Sequence, residues 1–344
     1  MQIEHTNTLT FGRGWNPDAV RDALLSARRI ALVAHTNADG DAVGSVLGMY
    51  HLLSKAVKAE VTPMLPDGVP DELDWLPGAN MIVSGKSQGA VCRCAFAAAD
   101  LIVCLDMNDP ERTGVLADSL KKSGAKKLLV DHHENADPAS WTLCISEPDI
   151  SSTCELAYWT MQSAFGNGIF TRDAATCLYA GMCTDTGTFS YSNDRPSLYA
   201  AAASLLAFGI DPMEINRQIK NVFTLQRLRF FGHAMADRLT VYPEQEVALM
   251  VIRADEMKAY GVESSELTGL INEVMKLRCI DCGILVREEE GKVRLSLRSK
   301  KSYDVNRLAA EMFGGGGHKR AAGATSTLSL DDTVAAVKRK LKVE

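Results

Sequence analysis

The sequence of 344 residues has no apolar run of about 18 residues, the length that a membrane-spanning helix needs. Its N-terminus lacks the basic and then apolar pattern of a secretory signal, so none is expected. It also lacks an excess of positive charge, because 37 Lys and Arg stand against 43 Asp and Glu, a formal net charge of −6. These features argue against a membrane protein and against a protein that binds duplex DNA through its overall charge.

The cysteines do not form the pattern of a disulfide framework. There are nine of them, an odd number, and they are scattered along the chain. Cys104, Cys177 and Cys183 fall within apolar runs, where a free thiol behaves as a small hydrophobic side chain. This usage is typical of a reducing compartment, and we expect a cytoplasmic protein. The sequence has no convincing internal repeat and no low-complexity segment.

Short apolar runs alternate with helical stretches in the first half of the chain. Strands are predicted over 30–34, 60–65, 101–105 and 128–130, and a helix over 42–57. This alternation is typical of an α/β fold with a parallel sheet. In such sheets ligands bind beyond the carboxyl ends of the strands.

The second half has a different pattern. Helices are predicted over 153–165, 173–184, 196–208 and 211–239. Strands follow over 247–252, 279–286 and 293–298, with 287–292 as a hairpin-like loop. Helices over 303–313 and 330–341 flank a glycine-rich loop. We expect the helices to connect the first domain to a smaller α+β domain that begins near residue 240.

Side chains that bind metal ions follow three of the predicted strands and one helical stretch. They are His35, Asp39, Asp41, Asp106, Asp131, His132, His133 and Asp185. Each cluster alone has an ordinary alternative, since Asp-Gly-Asp is usually a solvated turn and a lone aspartate often caps a helix. Together, carboxylate and imidazole suit Mn²⁺ or a related metal better than structural zinc. So many carboxylates exceed the need of one ion, so we expect two divalent ions, Mn²⁺ first, with Mg²⁺ or Co²⁺ as alternatives.

A second motif lies in the glycine-rich segment. It consists of Gly314, Gly315, Gly316, Gly317, His318, Lys319 and Arg320. Consecutive glycines let an anion approach the backbone N–H groups, and the three residues after them supply charge. Arg298, at the end of a predicted strand, can grip a phosphate with two hydrogen bonds. The alternative is a flexible linker, which has no need of His-Lys-Arg.

The metal-binding motifs resemble, in order and spacing, the four signature motifs of the DHH phosphoesterase superfamily. The resemblance implies that His35, Asp39 and Asp106 hold one ion. It implies a second ion on the set Asp41, Asp106, His132 and Asp185, so that Asp106 bridges the two. His133 would contact the substrate phosphate or take part in catalysis, and Asp131 would orient the histidines. Ala38 stands where proline is common in the family, which changes the stiffness of the turn and not the number of ligands.

The glycine-rich segment, with Arg298 in Ser-Leu-Arg-Ser, resembles the DHH-associated domain that accompanies such catalytic domains. The match is best to compact two-domain enzymes that degrade nano-RNA and dephosphorylate 3′-phosphoadenosine 5′-phosphate. The resemblance implies a DHH catalytic, metal-binding domain over 1–190, a helical connector over 191–239 and a substrate-binding domain over 240–344. The metals would act on the scissile phosphate, while Arg298 and the glycine-rich segment hold another part of the substrate.

The implied function is that of a two-metal phosphodiesterase and phosphatase. Its substrates would be short single-stranded oligoribonucleotides and small nucleotides, with no duplex DNA and no membrane as partner. The resemblance allows a homodimer. A soluble phosphodiesterase for cyclic or linear dinucleotides is the main alternative, since it uses the same two domains. Exopolyphosphatases and pyrophosphatases have different second domains, and a non-catalytic nucleotide-binding regulator would not keep every metal ligand.

Overall fold

The computed structural model describes residues 16–190, 194–220 and 223–343. The chain divides into two compact units, Met1–Val222 and Phe223–Glu344. Within the predicted helix 211–239, residues 221 and 222 lie outside the described residues. The helical stretch from 196 onward contributes to both units, because the division falls inside it.

A six-stranded parallel sheet forms the centre of the first unit. Its strands are β1 Arg29–Val33, β2 Glu60–Leu65, β3 Val83–Ser84, β4 Leu101–Leu105, β5 Lys126–Asp131 and β6 Leu143–Ser146. The strand order is β3-β2-β1-β4-β5-β6, and every pairing is parallel. The predicted parallel α/β fold is therefore confirmed. The order reverses direction between β1 and β4, which opens a crevice at the carboxyl ends of these two strands.

Helices cover both faces of this sheet. They are α1 Pro17–Ser26, α2 Gly40–Ala56, α3 Gly85–Ala98, α4 Ala117–Lys122, α5 Thr153–Phe165, α6 Arg172–Asp185, α7 Pro196–Leu206 and α8 Pro212–Lys220. Alternate residues of β1 point to opposite faces. Ile30 and Leu32 join a core with α1, α2 and α5 to α8, while Ala31 and Val33 join a second core with α3 and α4.

Three glycines let α2 pack closely against α6. Gly40, Gly44 and Gly48 are spaced by four residues and lie on one side of α2. A Cβ atom at Gly44 would lie 2.6 Å from the carbonyl oxygen of Cys177 in α6, and one at Gly40 would lie 2.4 Å from Thr184. The close approach brings the start of α2 next to the end of α6, where metal-binding side chains were predicted.

The second unit contains a mixed sheet. Its strands are β7 Leu239–Tyr242, β8 Val247–Ile252, β9 Cys282–Glu289, β10 Lys292–Ser299, β11 Gly316–His318 and β12 Ala321–Ser326. Its helices are α9 Leu225–Asp237, α10 Ala254–Tyr260, α11 Leu270–Val274, α12 Val305–Phe313 and α13 Leu330–Leu341. The order is β11-β12-β10-β9-β8-β7, antiparallel except for β8 with β9. One core joins α12 and α13 to the sheet, and another joins helices α9, α10 and α11 to it. This arrangement confirms the α+β prediction.

The sequence suggested that the glycine-rich segment is a loop between two helices. In the structure, part of it forms a strand. Gly314 ends α12 in the left-handed conformation, with φ of 63°. The next residues form β11, which pairs with β12. A Cβ atom at Gly317, where φ is 145°, would lie 2.5 Å from the carbonyl oxygen of Ala321. Glycine is thus needed here for a close approach of two strands, although its low strand propensity made the segment read as a loop.

A buried aspartate fixes the segment that follows β10. Asp281 is 2% exposed, and its carboxylate accepts hydrogen bonds from the backbone N–H groups of Lys300 (3.0 Å), Lys301 (2.5 Å) and Ser302 (2.5 Å). Burial acts to raise the pKa of Asp281, but these bonds outweigh it and lower the pKa below its ordinary value of 3.8. The carboxylate therefore stabilises the fold when it is ionised.

We predict that Asp281→Ala lowers the free energy of unfolding by about 3 kcal/mol at neutral pH, because three backbone N–H groups lose a charged acceptor. This contribution is present above pH 3.8 and is lost as the pH falls through the lower pKa of the folded state. Urea unfolding at pH 7 and pH 3 measures it. Asp331→Ala is the control, since that side chain is 83% exposed. Equal stability of Asp281→Ala and wild type at pH 7 would refute this role.

Candidate active site

The predicted metal-binding residues of the first unit converge at the crevice between β1 and β4. His35 follows β1, Asp106 follows β4, and Asp131 is the last residue of β5, with His132 and His133 directly after it. The carboxyl ends of these adjacent parallel strands meet at one edge of the sheet. The sheet order therefore places clusters that are far apart in sequence next to one another.

The loop after β1 is fixed by contacts on two sides. The N–H of Thr36 donates to the carbonyl of Arg112 (2.8 Å). The N–H of Asn37, whose φ is 52°, donates to Asp67 Oδ2 (2.6 Å). Asp39 then caps α2, since its Oδ1 accepts the N–H of Asp41 (3.0 Å). These contacts set the position of the Asp39 carboxylate before any ligand binds.

Asp106 lies at the centre of the cluster and is 2% exposed. Its backbone has φ of 57°, a left-handed conformation that aspartate tolerates better than most residues. Its Oδ2 is 3.2 Å from His35 Nε2, and its Oδ1 accepts a hydrogen bond from Thr153 Oγ1 (3.0 Å). The same Oδ1 is 3.6 Å from both His132 Nε2 and His133 Nδ1. A carboxylate with neighbours on both oxygens is suited to bridging two ions.

The start of α5 holds the carboxylate of Asp41. The backbone N–H of Thr153 donates to Asp41 Oδ2 (2.7 Å), and that of Cys154 donates to Oδ1 (2.8 Å). This is the anion site that the unpaired N–H groups at a helix N-terminus provide. His132 Nε2 lies 3.8 Å from Asp41 Oδ2 and 3.5 Å from Asp185 Oδ2, across the close contact of α2 and α6.

Three groups of side chains in the described part of the chain have ligand atoms within 4.8 Å of one another. They are His35, Asp39 and Asp106; Asp41, His132 and Asp185; and Asp106, His132 and His133. The first two correspond to the two sets that the family resemblance implied, except that Asp106 falls outside the second group. Oxygen and imidazole nitrogen together suit divalent first-row metals.

The ionisation of these groups shows that the cluster suits cations. Burial raises the pKa of Asp41 well above its ordinary value, and the charges of Asp106 and Asp185 raise it further. The pKa of Asp185 is raised in the same way, first by burial and then by Asp106. Burial alone would lower the pKa of His35, but its hydrogen bond to Asp106 raises that pKa to about 9. Bound protons therefore neutralise part of the negative charge of the crowded carboxylates. Divalent cations at the same place would neutralise more of it.

Asp131 holds His133 in place. Its Oδ1 is 2.8 Å from His133 Nδ1, and the residue is completely buried. Its Oδ2 has no hydrogen-bond partner within the described ranges. A carboxylate on Nδ1 fixes both the tautomer and the orientation of the ring.

The predicted substrate-binding residues of the second unit lie mostly around β11. Arg298 of β10 and His318 of β11 both have Ala321 of β12 as register partner, so the three residues form one row across the sheet. One hydrogen bond of Arg298 runs from Nη1 to the carbonyl of Leu297 (2.9 Å). Gly316 and Gly317 belong to β11, Gly314 and Gly315 precede it, and Lys319 and Arg320 follow it.

Arg320, which was also predicted to bind substrate, contacts the chain that follows β10. Its Nη1 donates to the carbonyl of Tyr303 (3.1 Å) and lies 3.5 Å from Ser299 Oγ. These contacts tie the turn after β11 to the chain that follows β10. Arg320 therefore lies beside the row that contains Arg298, next to Ala321 in the chain.

Sequence reasoning missed several residues that shape the metal cluster. Ser152 caps α5 through Glu155 N (3.1 Å), and a Ser-x-x-Glu pattern at the start of a helical stretch is a readable signal for such an N-terminus. That pattern also predicts Thr153 as the first residue of the helix. Asp67 had no such signal, because in Pro-Asp-Gly it reads as an ordinary turn residue.

Comparison with protein families supports the resemblance. The model of the DHH family, N-terminal domain, matches residues 29–182, and that of the DHHA1 domain matches residues 244–343. A solved structure of an exopolyphosphatase-related protein from Bacteroides fragilis is 31% identical, with 95% of each chain covered and a TM-score of 0.91. The chain belongs to the DHH family. It is accordingly a phosphoesterase of this family, with a DHHA1 domain after the catalytic one.

Two curated relatives match this DHH protein along most of their length. The bifunctional oligoribonuclease and PAP phosphatase NrnA of Bacillus subtilis is 27% identical over 302 residues, which cover 86% of this chain and 88% of that one. The Thermus thermophilus protein of the same name is 26% identical over 323 residues, with 92% and 90% covered. Exonuclease RecJ bound to manganese, at 15% identity and a TM-score of 0.53, covers 95% of this chain and 93% of its own and shares the fold. No helix among the described residues has the length and apolar character needed to cross a membrane.

Proposed function

We propose that this DHH protein is a two-metal phosphodiesterase and phosphatase. It would release mononucleotides from short oligoribonucleotides and remove the 3′-phosphate from 3′-phosphoadenosine 5′-phosphate. The observation that carries the proposal is the buried cluster around Asp106, in which two groups of metal-binding side chains lie side by side. The names of the B. subtilis and T. thermophilus relatives support this choice of substrates.

We assign the residues of the cluster to two divalent ions, Mn²⁺ first. His35, Asp39 and Asp106 would hold one ion, and the other would use Asp41, Asp106, His132 and Asp185. Bound ions of this kind supply Lewis acidity toward a phosphoryl oxygen and lower the pKa of bound water. The protein's own contribution is a rigid anionic frame, since the start of α5 fixes Asp41 and the left-handed backbone fixes Asp106.

His133 would act on the substrate itself. Asp131 accepts from its Nδ1, and the imidazolium form of the ring would also donate a hydrogen bond from Nε2 to a non-bridging oxygen of the scissile phosphate. This bond strengthens as negative charge develops on the phosphoryl group, and the reaction therefore gains from it in the transition state. Asp131 is a positioning residue in this scheme, because it acts through His133.

The second unit would bind a part of the substrate away from the reacting phosphorus. We assign this role to Arg298, His318 and the backbone of β11, which form one end of an exposed sheet face. Lys319 adjoins this end, Gly314 and Gly315 precede β11 at its other end, and Arg320 supports it from the turn. A guanidinium and an imidazole on neighbouring strands suit a phosphate of the substrate.

We also propose a cytoplasmic location. All nine cysteines are free thiols, and Cys104, Cys154 and Cys177 are buried. Burial raises the pKa of the Cys104 thiol to about 12, which makes it unreactive. Thiols of this kind persist in a reducing compartment.

A substrate panel tests the proposed function. Purified protein with Mn²⁺ is given labelled di- to pentaribonucleotides, 3′-phosphoadenosine 5′-phosphate, cyclic dinucleotides, polyphosphate and longer single strands. We predict mononucleotide release from the short ribonucleotides and phosphate release from 3′-phosphoadenosine 5′-phosphate. The polyphosphate arm addresses the exopolyphosphatase-related relative. Turnover of polyphosphate or of cyclic dinucleotides alone would contradict the proposal.

A further inference from the structure

A cavity of about 380 Å³ opens on the sheet of the second unit, at the opposite end of β10 from Arg298. Its lining includes Arg287, Arg294, Ser296, Phe313, Gly315 and Thr325. Two arginines, two hydroxyl groups, an aromatic ring and glycine backbone make a chemical environment suited to a nucleotide. Of the residues that line this cavity, the substrate-binding residues predicted from the sequence include Gly314 and Gly315.

The strand pattern places the cavity and Arg298 on one face of the sheet. Along β10, Arg294, Ser296 and Arg298 alternate with buried Val293, Leu295 and Leu297. The three polar residues therefore point to the same side. Arg294 and Arg298 are four residues apart, about 13 Å along an extended strand.

The surface between the two arginines is low. Ser296 faces Gly323 on β12, and Gly323 faces Gly316 on β11. This row has one hydroxymethyl side chain and two glycines across three strands. A ligand can therefore lie close to the sheet along the line from Arg298 to Arg294.

The cavity end carries an excess of positive charge. Arg294 lies directly opposite Arg287 of β9. Like charges in this arrangement repel each other, and a bound anion would stabilise them. Glu289 meets part of this need, since its carboxylate is 3.2 Å from Arg287 Nε, 3.4 Å from Arg294 Nε and 3.5 Å from Lys292 Nζ. Three cations thus share one carboxylate. Arg294 is 48% exposed, so a phosphate has access to it.

We propose that this cavity is a second phosphate subsite, in which Arg294 and Arg287 bind a phosphate of an oligonucleotide that Arg298 holds at an earlier position. Phe313 would stack against a base of the same substrate. A step of two residues along β10, about 6.8 Å, is close to the spacing of successive phosphates in an extended strand. The two arginines then span three successive phosphates. The subsite would be reached by 5′-phosphorylated tetranucleotides and longer strands, which carry one phosphate for the metal cluster and three for this strand, and not by dinucleotides or 3′-phosphoadenosine 5′-phosphate.

This inference rests on the proposed function, and its test separates the two. We expect Arg294→Ala to raise KM about tenfold for 5′-phosphorylated tetra- and pentaribonucleotides, the loss of one charged phosphate contact. KM for the dinucleotide and for 3′-phosphoadenosine 5′-phosphate should not change. The salt dependence of KM for the tetranucleotide should become less steep by about 0.7 in logarithmic slope. Arg307→Ala is the matched control, because Arg307 also pairs with a glutamate (Glu311, 2.9 Å) but lies on α12.

Binding without turnover completes the test. The anisotropy of fluorescein-labelled di- and tetraribonucleotides is measured in metal-free buffer with wild type and Arg294→Ala. A loss of affinity for the tetranucleotide alone supports the subsite, even if wild type hydrolyses neither and the proposed function fails. An equal loss for both lengths, or no loss, overturns the subsite, while hydrolysis by wild type would leave the proposed function standing.

Discussion

Asp106→Asn is expected to lower kcat for oligoribonucleotide hydrolysis by a factor on the order of 10³ or more. The substitution removes the charge of the carboxylate that contacts His35 and approaches both His132 and His133. Asparagine tolerates the left-handed backbone of this position, where φ is 57°, better than alanine does. The fold should therefore persist while the bridging ligand is lost. Steady-state kinetics on a labelled trinucleotide, with circular dichroism as a check of folding, measures the effect.

Asp118→Asn is the control for this experiment. Its carboxylate is in the same unit but is 84% exposed, and it pairs with Lys122 in the next turn of α4. It should leave kcat within about twofold of wild type, since exposed ion pairs contribute little. Substantial turnover by a folded Asp106→Asn protein would show that this carboxylate does not link the two groups of ligands.

Gly44→Ala is expected to lower the free energy of unfolding of the first unit by about 3 kcal/mol. Its Cβ atom would lie 2.6 Å from the carbonyl oxygen of Cys177 and 3.1 Å from Cys154 Sγ. A backbone oxygen inside a helix cannot turn away as a long side chain can, so α2 and α6 must move apart. That movement would also separate Asp41 from Asp185, and activity should fall with stability. Urea unfolding and turnover of the trinucleotide provide the two readouts.

Gly232→Ala is the matched control, since Gly232 also lies inside a helix, α9, and a Cβ atom there would meet nothing within 4 Å. There the change should raise stability by about 0.5–1 kcal/mol, the intrinsic advantage of alanine in a helix. Opposite signs at the two positions would assign the cost at Gly44 to packing. An unchanged free energy of unfolding for Gly44→Ala would show that the contact between α2 and α6 can accommodate an added methyl group.

The sequence predicted the strands that are fully buried or bounded by clear turns. β2, β4 and β8 begin and end where the apolar runs do. It did not predict β3 or β6, because a strand of two residues and a short edge strand carry too little apolar periodicity. β11 was missed for another reason, since its glycines signal a loop until the partner strand is known.

The candidate site divides in a similar way. The ligand types and their positions after strands were readable, because parallel strands bring such residues to one edge. The contacts that hold these side chains in place could not be predicted from the sequence. Asp67 reaches Asn37 from 30 residues away, and Thr153 reaches Asp41 from 112 residues away. Such pairings depend on the folded chain and leave no local pattern in the sequence.

Metal dependence is the most direct test of the account. Mononucleotide release from a labelled pentaribonucleotide is followed as Mn²⁺ is added back to chelator-treated, folded protein, with bound metal counted in the same samples. The buried cluster around Asp106 predicts no release without a divalent ion, and full activity only once two ions per chain are bound. Release that persists in the chelator, or no release at any Mn²⁺ concentration, would contradict the assignment of a two-metal phosphoesterase.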